Sequence, residues 1–394
     1  MLRKRFVGRF IGMVVFYFIL LSLTPVFAQE AYQVGCSMAV TGPGAEIYGP
    51  LKDAIDIYFK EVNARGGING HPVKIIIEDD AAEPSKAATN AKKLVTQDKV
   101  LLLLNGSLSS TYAPMIQVAQ QFKIPLLFAG GVCPADVYPP KPDPHLYCST
   151  AFGARYDSRF ALSFIKGEAK GPVKLGLVGM NIPVSRGEID FAEELSKTMG
   201  IEAVDKEITP PATPDYTPFA SKIKNAGANW AYAWAPWGSE VRPFEALRKL
   251  GWEGKYLAYA HTPSEDELKR LKDDGFYVFG TNAFFADNSD IHKKIKAASE
   301  REKSIFPYTQ LTEGWIAATV LEEILKKTSW PPDPEKVKAA MNQIKVDIKG
   351  LKGGPLTWTT DNHFRTATYY RVYRWDSKKN GIIIVKDWTP IQVK

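Results

Sequence analysis

Short, wholly apolar runs alternate with amphipathic helical segments along most of this sequence. Residues 100–104 and 124–128 are almost entirely apolar, and the segment between them, 112–122, repeats apolar residues at helical spacing. An apolar run without polar alternation is typical of a parallel strand that is buried on both faces. The sequence therefore predicts an α/β fold in which helices cover both faces of a parallel sheet.

The alternation occurs in two blocks. The first predicts strands at 32–40, 73–77, 100–104 and 124–128 and helices at 51–64, 85–96 and 112–122. The second predicts helices at 158–166, 188–199, 217–227 and 244–250 and strands at 173–178, 201–208, 230–234 and 255–258, with Thr217 as an N-cap and Pro218 in the first helical position. Near Thr281 the chain is expected to return to the first block, with helices 312–327 and 334–343, and to close with a hairpin of 369–375 and 382–385. We expect two doubly wound, Rossmann-like lobes, whose ligands bind at the carboxyl ends of the strands.

The first 28 residues have the pattern of a secretory signal. Four basic residues precede an apolar run of fourteen, 10–23, and Val26 and Ala28 flank the expected cleavage site before Gln29. The run is shorter than the roughly 20 residues of a membrane span. The sequence predicts an exported, periplasmic or extracytoplasmic protein. A retained N-terminal anchor, or lipidation at Cys36, are the alternatives.

Charge excludes some partners. The signal holds four of the 50 basic residues and none of the 43 acidic ones, so the remaining 366 residues have a net charge of about +3. This balance does not favour nucleic-acid binding. The length suggests two domains.

Three cysteines permit one disulfide. Cys133 and Cys148 flank a proline-rich loop, whereas Cys36 lies in an apolar run. We expect a Cys133–Cys148 disulfide and a free Cys36, with three reduced thiols as the alternative.

No catalytic constellation or cofactor site is evident. The five histidines lack metal-ligand spacing, and no Gly-x-Ser-x-Gly motif occurs. Gly42, Gly44 and Gly49 depart from the dinucleotide-binding spacing. We therefore expect no cofactor, no metal and no enzymatic activity.

Two loops after predicted strands are candidate ligand contacts. Ser107, Leu108, Ser109 and Ser110 lie between a buried strand and a helix, where hydroxyl and backbone N–H groups can hold an anion. A helix cap without a ligand is the alternative. Gly130, Gly131 and Val132 follow the next strand, and the glycines permit close approach to the backbone.

The order of several motifs resembles a known family. The motifs are Thr41-Gly42-Pro43, Tyr48-Gly49, residues 63–70, Glu78-Asp79-Asp80, residues 215–219, residues 247–251 and residues 354–358. Together they resemble the substrate-binding proteins of branched-chain amino acid type ABC transporters, over essentially the whole chain after the signal. The resemblance implies a type I periplasmic-binding fold, with hinge crossings near residues 150, 282 and 359. The implied lobes are 29–150 plus 283–359, and 151–282 plus 360–394.

The resemblance carries over to the ligand residues only in part. In amino-acid binders of this family the serine loop holds the ligand carboxylate, here Ser107, Ser109 and Ser110. A threonine after the next strand is replaced by Val132, and a second-lobe tyrosine by Val184 or Ser185. The acid that pairs with the ligand ammonium is expected within 259–261, where none occurs. Burying an ammonium without a carboxylate costs several kcal/mol.

Aromatic and basic residues are predicted near the cleft, where the amino-acid binders have the residues that this sequence lacks. Tyr48, Trp237, Tyr259 and His261 are predicted on loops that face it, with Trp237 stacking on the ligand. Arg155 and Arg186 are candidate partners of a ligand carboxylate, and a surface charge or a salt bridge that forms on lobe closure is the alternative. Trp230, Tyr232 and Trp234 are interpreted as packing in the core.

The sequence thus predicts a solute-binding protein that delivers a small organic ligand to the membrane-bound permease of an ABC importer. An aromatic or hydrophobic carboxylate is expected in preference to a branched-chain amino acid, and the family resemblance implies a monomer. A sensor that feeds a signalling receptor and an exported hydrolase are the alternatives.

Overall fold

The structure is a computed structural model that describes residues 30–150 and 153–394. The predicted signal peptide and its cleavage site lie outside the described residues. Among the described helices, none has both the length and the apolar character that a membrane crossing requires.

The first lobe is built on a five-stranded parallel sheet. Its elements are β1 (Tyr32–Met38), α1 (Ala45–Ala64), β2 (Val73–Asp79), α2 (Pro84–Thr96), β3 (Leu102–Gly106), α3 (Tyr112–Phe122), β4 (Leu126–Gly130) and β5 (Leu146–Cys148). The strand order is β2-β1-β3-β4-β5. Every residue of β3 and β4 is buried, and each strand begins with a run of leucines, as a sheet covered on both faces requires.

The second lobe is built on a seven-stranded mixed sheet. Its elements are α4 (Tyr156–Glu168), β6 (Lys174–Met180), α5 (Pro183–Met199), β7 (Glu202–Thr209), α6 (Thr217–Asn225), β8 (Trp230–Ala233), α7 (Gly238–Lys249), β9 (Lys255–Tyr259), α8 (Ser264–Leu271) and β10 (Phe276–Gly280). The chain then adds α9 (Asp290–Glu302), α10 (Thr312–Lys327), α11 (Pro334–Met341) and the short strands β11 (Lys345–Val346) and β12 (Leu356–Thr357), before β13 (Ala367–Asp376) and β14 (Gly381–Gln392). The sheet order is β14-β13-β10-β9-β8-β6-β7, and β13 and β14 are antiparallel.

Helix α10 returns to the first lobe. Its Trp315 and Leu321 belong to the same buried core as Ile55 and Phe59 of α1. The chain passes between the sheets three times: between β5 and α4, between β10 and α9, and between β12 and β13. The two-lobed α/β fold expected from the sequence is confirmed.

Some local predictions differ from the structure. Helix α1 begins at Ala45 rather than at residue 51, and Pro50 lies inside it. The predicted start was too late because the first turns contain a glycine and a proline, which favour a loop. Thr217 is the first helical residue and not the N-cap. Tyr216 precedes it, and Asp215 Oδ1 accepts the Thr217 N–H at 2.9 Å. Strands β5 and β10 and helices α8 and α9 were not predicted.

Cys133 and Cys148 form a disulfide in the structure, with Cα atoms 5.6 Å apart. It joins the loop after β4 to the end of β5. Cys36 is free and fully buried in the middle of β1.

Candidate ligand-binding cleft

A cavity with an aromatic wall lies between the lobes, at the carboxyl ends of their strands. Its empty volume is about 420 Å³, part of which is open to solvent. We call it the aromatic cavity; it is lined by Ile47, Tyr48, Leu108, Ser109, Tyr112, Gly131, Val132, Ile182, Val184, Ser185, Trp234, Ala235, Pro236 and His261. None of these residues is an Asp, Glu, Lys or Arg.

Three rings of this cavity are held in place through their polar atoms. Tyr48 Oη donates to the Ser107 carbonyl at 2.9 Å, and Tyr112 Oη donates to the Val132 carbonyl at 2.8 Å. Trp234 Nε1 donates to Asp157 Oδ2 at 3.0 Å. Because the polar groups are engaged in the protein, the rings can offer apolar surface to a ligand.

The serine loop supplies the polar end of the aromatic cavity. Ser109 begins a 3-10 turn that leads directly into α3, so its hydroxyl lies beside N–H groups at a helix start. Ser109 Oγ is buried and has no hydrogen-bond partner in the described chain. Ser185, on the facing lobe, accepts from Met180 N at 2.8 Å and donates to the Trp234 carbonyl at 2.6 Å. Ser109 is therefore the hydroxyl that a ligand carboxylate can engage.

Gly131 keeps the floor of the cleft free of side chains. Its φ is +90°, and a Cβ there would lie 2.8 Å from Tyr48 Oη and 2.9 Å from Tyr112 Oη. A larger residue would clash with both rings in a backbone conformation that favours glycine.

His261 is tied to a buried acid of the second lobe. Its Nε2 lies 2.8 Å from the Ala235 carbonyl and 3.3 Å from Glu240 Oε2. Glu240 Oε1 also accepts from Ala235 N at 3.0 Å. Burial raises the pKa of the Glu240 carboxyl, and the contact with His261 opposes this rise.

A second, more polar cavity adjoins the first, with an empty volume of about 580 Å³ that includes open solvent. We call it the polar cavity; it is lined by Ile47, Leu51, Gly130, Gly131, Ala260, His261, Thr262, Glu265, Asn282, Ala283, Phe284, Thr309, Gln310, Thr312 and Glu313. Ile47, Gly131 and His261 line both cavities.

The lobes contact each other beside the polar cavity. Thr309 Oγ1 of the first lobe donates to both Asp266 oxygens of α8 at 2.9 Å, and Gln310 Nε2 donates to Asp266 Oδ2 at 3.1 Å. In the aromatic cavity, Leu108 and Ser109 face Val184 and Ser185 across the cleft. The structure thus has its lobes in contact around the candidate site.

The residues predicted as ligand contacts divide into two groups. The lining of the two cavities includes Tyr48, Leu108, Ser109, Gly130, Gly131, Val132, Ser185 and His261. It does not include Ser107, Ser110, Arg155, Arg186, Trp237 or Tyr259.

The two other serines of the loop have structural partners. Ser107 Oγ donates to Asp80 Oδ1 at 2.7 Å, and Ser110 Oγ donates to the Ala82 carbonyl at 3.3 Å. Asp80 is fully buried, and burial raises its pKa although Ser107 and Ser37 donate to it. These contacts fix the loop and leave Ser109 to face the cavity.

The two arginines do not line either cavity. Arg155 is exposed before α4, with its guanidinium 5.8 Å from the centre of the Phe191 ring. Arg186 is exposed and donates to Asn181 Oδ1 at 3.0 Å. Neither position supports the expected contact with a carboxylate.

The structure does not support the stacking role expected for Trp237. This residue is 3% exposed in the core of the second lobe, with its ring centre 6.3 Å from that of Phe276. Tyr259 ends β9 and is fully buried, rather than lying on a loop. Trp234 is 2% exposed and packs in the core, as the sequence predicts, and its ring also lines the aromatic cavity.

Several lining residues were not anticipated. Tyr112 directly follows the serine loop, so its position at the helix start was a usable signal. Asn282 follows β10, a strand that the sequence did not predict, and Glu313 lies in the first turn of α10. Among residues 30–150 and 153–394, no cluster of three His, Cys, Asp or Glu side chains could hold a metal ion.

Comparisons with known proteins agree with this geometry. The profile of the family described as periplasmic binding protein matches residues 31–380. The chain is 24% identical over 361 residues to Leu/Ile/Val-binding protein homolog 1 of Brucella melitensis, covering 88% of this chain and 91% of that protein.

Two solved structures are similar at the level of the fold. A branched chain amino acid ABC transporter protein from Thermus thermophilus with bound valine has a TM-score of 0.77 at 17% identity, covering 92% of this chain and 97% of that one. A solute binding protein of an ABC transporter from Rhodopseudomonas palustris BisB5, in complex with 3,4-dihydroxy benzoic acid, has a TM-score of 0.77 at 20% identity, covering 92% and 98%. With the matched profile, these likenesses show that the chain belongs to the periplasmic binding protein family, as a substrate-binding protein of the branched-chain amino acid ABC transporter type with a type I fold.

Proposed function

We propose that this protein binds a small aromatic or hydrophobic carboxylate between its lobes and delivers it to an ABC permease without chemical change. The observation that carries the proposal is the aromatic cavity, where three fixed rings surround a space with one available serine hydroxyl at its end.

The rings favour a flat or apolar ligand body. Tyr48 and Tyr112 come from the first lobe and Trp234 from the second, so a ring between them would contact both lobes. Aromatic contacts of this kind contribute about 0.5–1.5 kcal/mol beyond area burial. A ligand that contacts both lobes stabilises the closed arrangement.

The Ser109 end favours a carboxylate. A hydroxyl beside N–H groups at a helix start stabilises an anion, and among the described residues that line the aromatic cavity there is no acid to repel it. The same lack of an acid leaves an α-ammonium group without a partner in this cavity.

An amino acid is the second candidate, because carboxylates are present nearby. Glu265 and Glu313 line the polar cavity, and both are at least nine-tenths buried. Glu313 could pair with a ligand ammonium that reached it. The sequence does not predict Glu313 as a site residue.

A thermal-shift screen tests the proposal. The exported form is tested against aromatic acids, short aliphatic acids and amino acids. A ligand at about 100 times its Kd adds about 2.7 kcal/mol of stability. Stabilisation by aromatic acids is expected. Stabilisation by leucine and valine alone would contradict the proposal, and disappearance of the bound ligand during incubation would indicate a hydrolase.

The export of the protein is part of the same proposal. We propose cleavage before Gln29, action outside the cytoplasm as a monomer, and lobe boundaries near residues 150, 282 and 359. N-terminal sequencing of the exported product checks the cleavage site, and retention of Met1 on a membrane-bound product would contradict it.

A further inference from the structure

The polar cavity offers buried hydrogen-bond acceptors that the protein itself does not use. Asn282 Oδ1 and Thr262 Oγ1 are both buried atoms without a hydrogen-bond partner in the described chain. Buried polar groups are nearly always paired, because an unpaired one loses its hydrogen bonds to water without replacement. Two such atoms in one cavity point to a ligand group that pairs with them.

The orientation of the Asn282 amide follows from its neighbour. Asn282 Nδ2 donates to Glu313. An ionised carboxylate has no hydrogen to donate, so it acts only as an acceptor. The NH₂ group must therefore face Glu313, and the carbonyl oxygen Oδ1 is left as an acceptor. The amide cannot turn to donate to a ligand without losing its bond to Glu313.

The charge of the polar cavity also favours a hydrogen-bond donor on the ligand. Glu313 and Glu265 are 8% and 2% exposed, and none of the described residues that line the cavity is a Lys or Arg. Glu265 already has partners, since Lys269 Nζ lies at 2.8 Å and Phe285 N donates to it. Glu313 accepts from Asn282 Nδ2 and also lines the cavity, so its charge lies close to a group that pairs with Asn282.

The two cavities adjoin each other. Gly131, Ile47 and His261 line both, and Gly131 places no side chain between them. A ligand whose carboxylate lies at Ser109 and whose ring lies beside Trp234 can extend past Gly131 into the polar cavity.

We infer that the ligand is an aromatic carboxylate with a hydrogen-bond donor, a hydroxyl or an ammonium, at the end of its ring far from the carboxylate. The donor pairs with Asn282 Oδ1 and Thr262 Oγ1. This inference rests on the proposed function and adds a second recognition point to it.

A matched ligand series tests it by calorimetry. The probes are 3-phenylpropanoate with a para hydroxyl, a para aminomethyl or a para methyl group. The hydroxyl or the aminomethyl compound is expected to bind about tenfold more tightly than the methyl compound, because only they pair with the buried acceptors. Tighter binding of the hydroxyl compound would identify the donor as neutral, and tighter binding of the aminomethyl compound would identify it as charged.

Three variants of the polar cavity and one control separate recognition from folding. Thr262→Val keeps the size of the side chain and Asn282→Leu removes the amide; each is expected to reduce the advantage of the donor compounds over the methyl compound. Glu313→Gln is expected to weaken the aminomethyl compound more than the hydroxyl compound. Ser109→Ala, the control, is expected to weaken all three acids equally.

Two results would overturn the inference in distinguishable ways. Equal or tighter binding of the methyl compound to the wild-type protein would refute the donor site while the proposed function stands. Failure of all three acids to bind, in a protein shown by circular dichroism to be folded, would refute the proposed function and this inference with it.

Discussion

Trp234 Nε1 lies 3.0 Å from Oδ2 of the buried Asp157 and donates a hydrogen bond to it. Asp157 Oδ1 accepts from Tyr370 Oη of β13 at 2.5 Å, and Oδ2 accepts from Gly153 N at 3.1 Å. Burial, followed by the nearby Glu188, raises the pKa of the Asp157 carboxyl. One carboxyl group therefore connects a wall of the aromatic cavity to chain segments that follow two of the three crossings.

Trp234→Phe tests the role of this wall. The variant loses the indole N–H and leaves Asp157 with one donor fewer, so the free energy of unfolding is expected to fall by about 1–3 kcal/mol. Affinity for 3-phenylpropanoate is expected to fall about three- to tenfold, since stacking area is lost. Urea unfolding and calorimetry measure the two effects.

Trp237→Phe is the matched control. Trp237 does not line the cavity, and its Nε1 has no hydrogen-bond partner in the described chain. Its replacement is expected to leave the affinity unchanged. If this variant weakened binding as much as Trp234→Phe, the assignment of Trp234 as the cavity wall would be wrong.

Replacement of the three serines one at a time tests the carboxylate end. Ser109→Ala is expected to lower affinity for aromatic acids about five- to thirtyfold without loss of stability, because its hydroxyl has no partner within the described protein. Ser110→Ala is expected to leave affinity unchanged. Ser107→Ala is expected to cost about 1–3 kcal/mol of stability, since Asp80 loses a donor. Equal affinities in the Ser109→Ala and wild-type proteins would contradict a carboxylate at this position.

The disulfide is expected to stabilise the protein through its unfolded state. A loop of about 15 residues corresponds to about 3 kcal/mol in the chain-entropy account, and Cys133 and Cys148 are 15 residues apart. Alkylation of the unreduced, denatured protein should label Cys36 only, and reduction should lower the urea midpoint. Labelling of all three cysteines would show that the bridge does not form.

His292 is expected to make stability depend on pH. Burial lowers its pKa from 6.5 to about 4. Between these values the unfolded state binds more protons than the folded state, so stability falls as the pH drops from 6.5 to 4. Urea unfolding should show a loss of about 2 kcal/mol over this interval, smaller in His292→Asn, whose amide oxygen can replace Nδ1 as the acceptor for Ser289 N. Identical pH profiles for the two proteins would exclude this role.

The fold could be predicted from the sequence because its signals are local. Apolar runs such as that of β3 have no polar alternation, so they indicate buried parallel strands wherever they occur. Helix α10 was predicted with its observed bounds, since its apolar side chains repeat over four turns. Strand β5 and helix α8 were missed because three and eight residues carry too little periodicity.

The site could be predicted only where a residue directly follows a recognisable strand. Ser109 and Gly131 were found in this way. The sequence predicts ligand stacking for Trp237 and a core position for Trp234, because no pattern in it shows which ring the short segment after β8 turns toward the cavity. Asn282 and Glu313 come together from a crossing segment and a distant helix, and no pattern in the sequence connects them.

Calorimetry with pairs of ligands that differ only by an α-amino group tests the central claim most directly. The exported protein is titrated with 3-phenylpropanoate against phenylalanine, and with 4-methylpentanoate against leucine. Because none of the described residues that line the aromatic cavity is acidic, each carboxylic acid is expected to bind at least about tenfold more tightly than its amino acid, with the aromatic acid the tightest. Submicromolar binding of leucine together with no binding of either acid would contradict it.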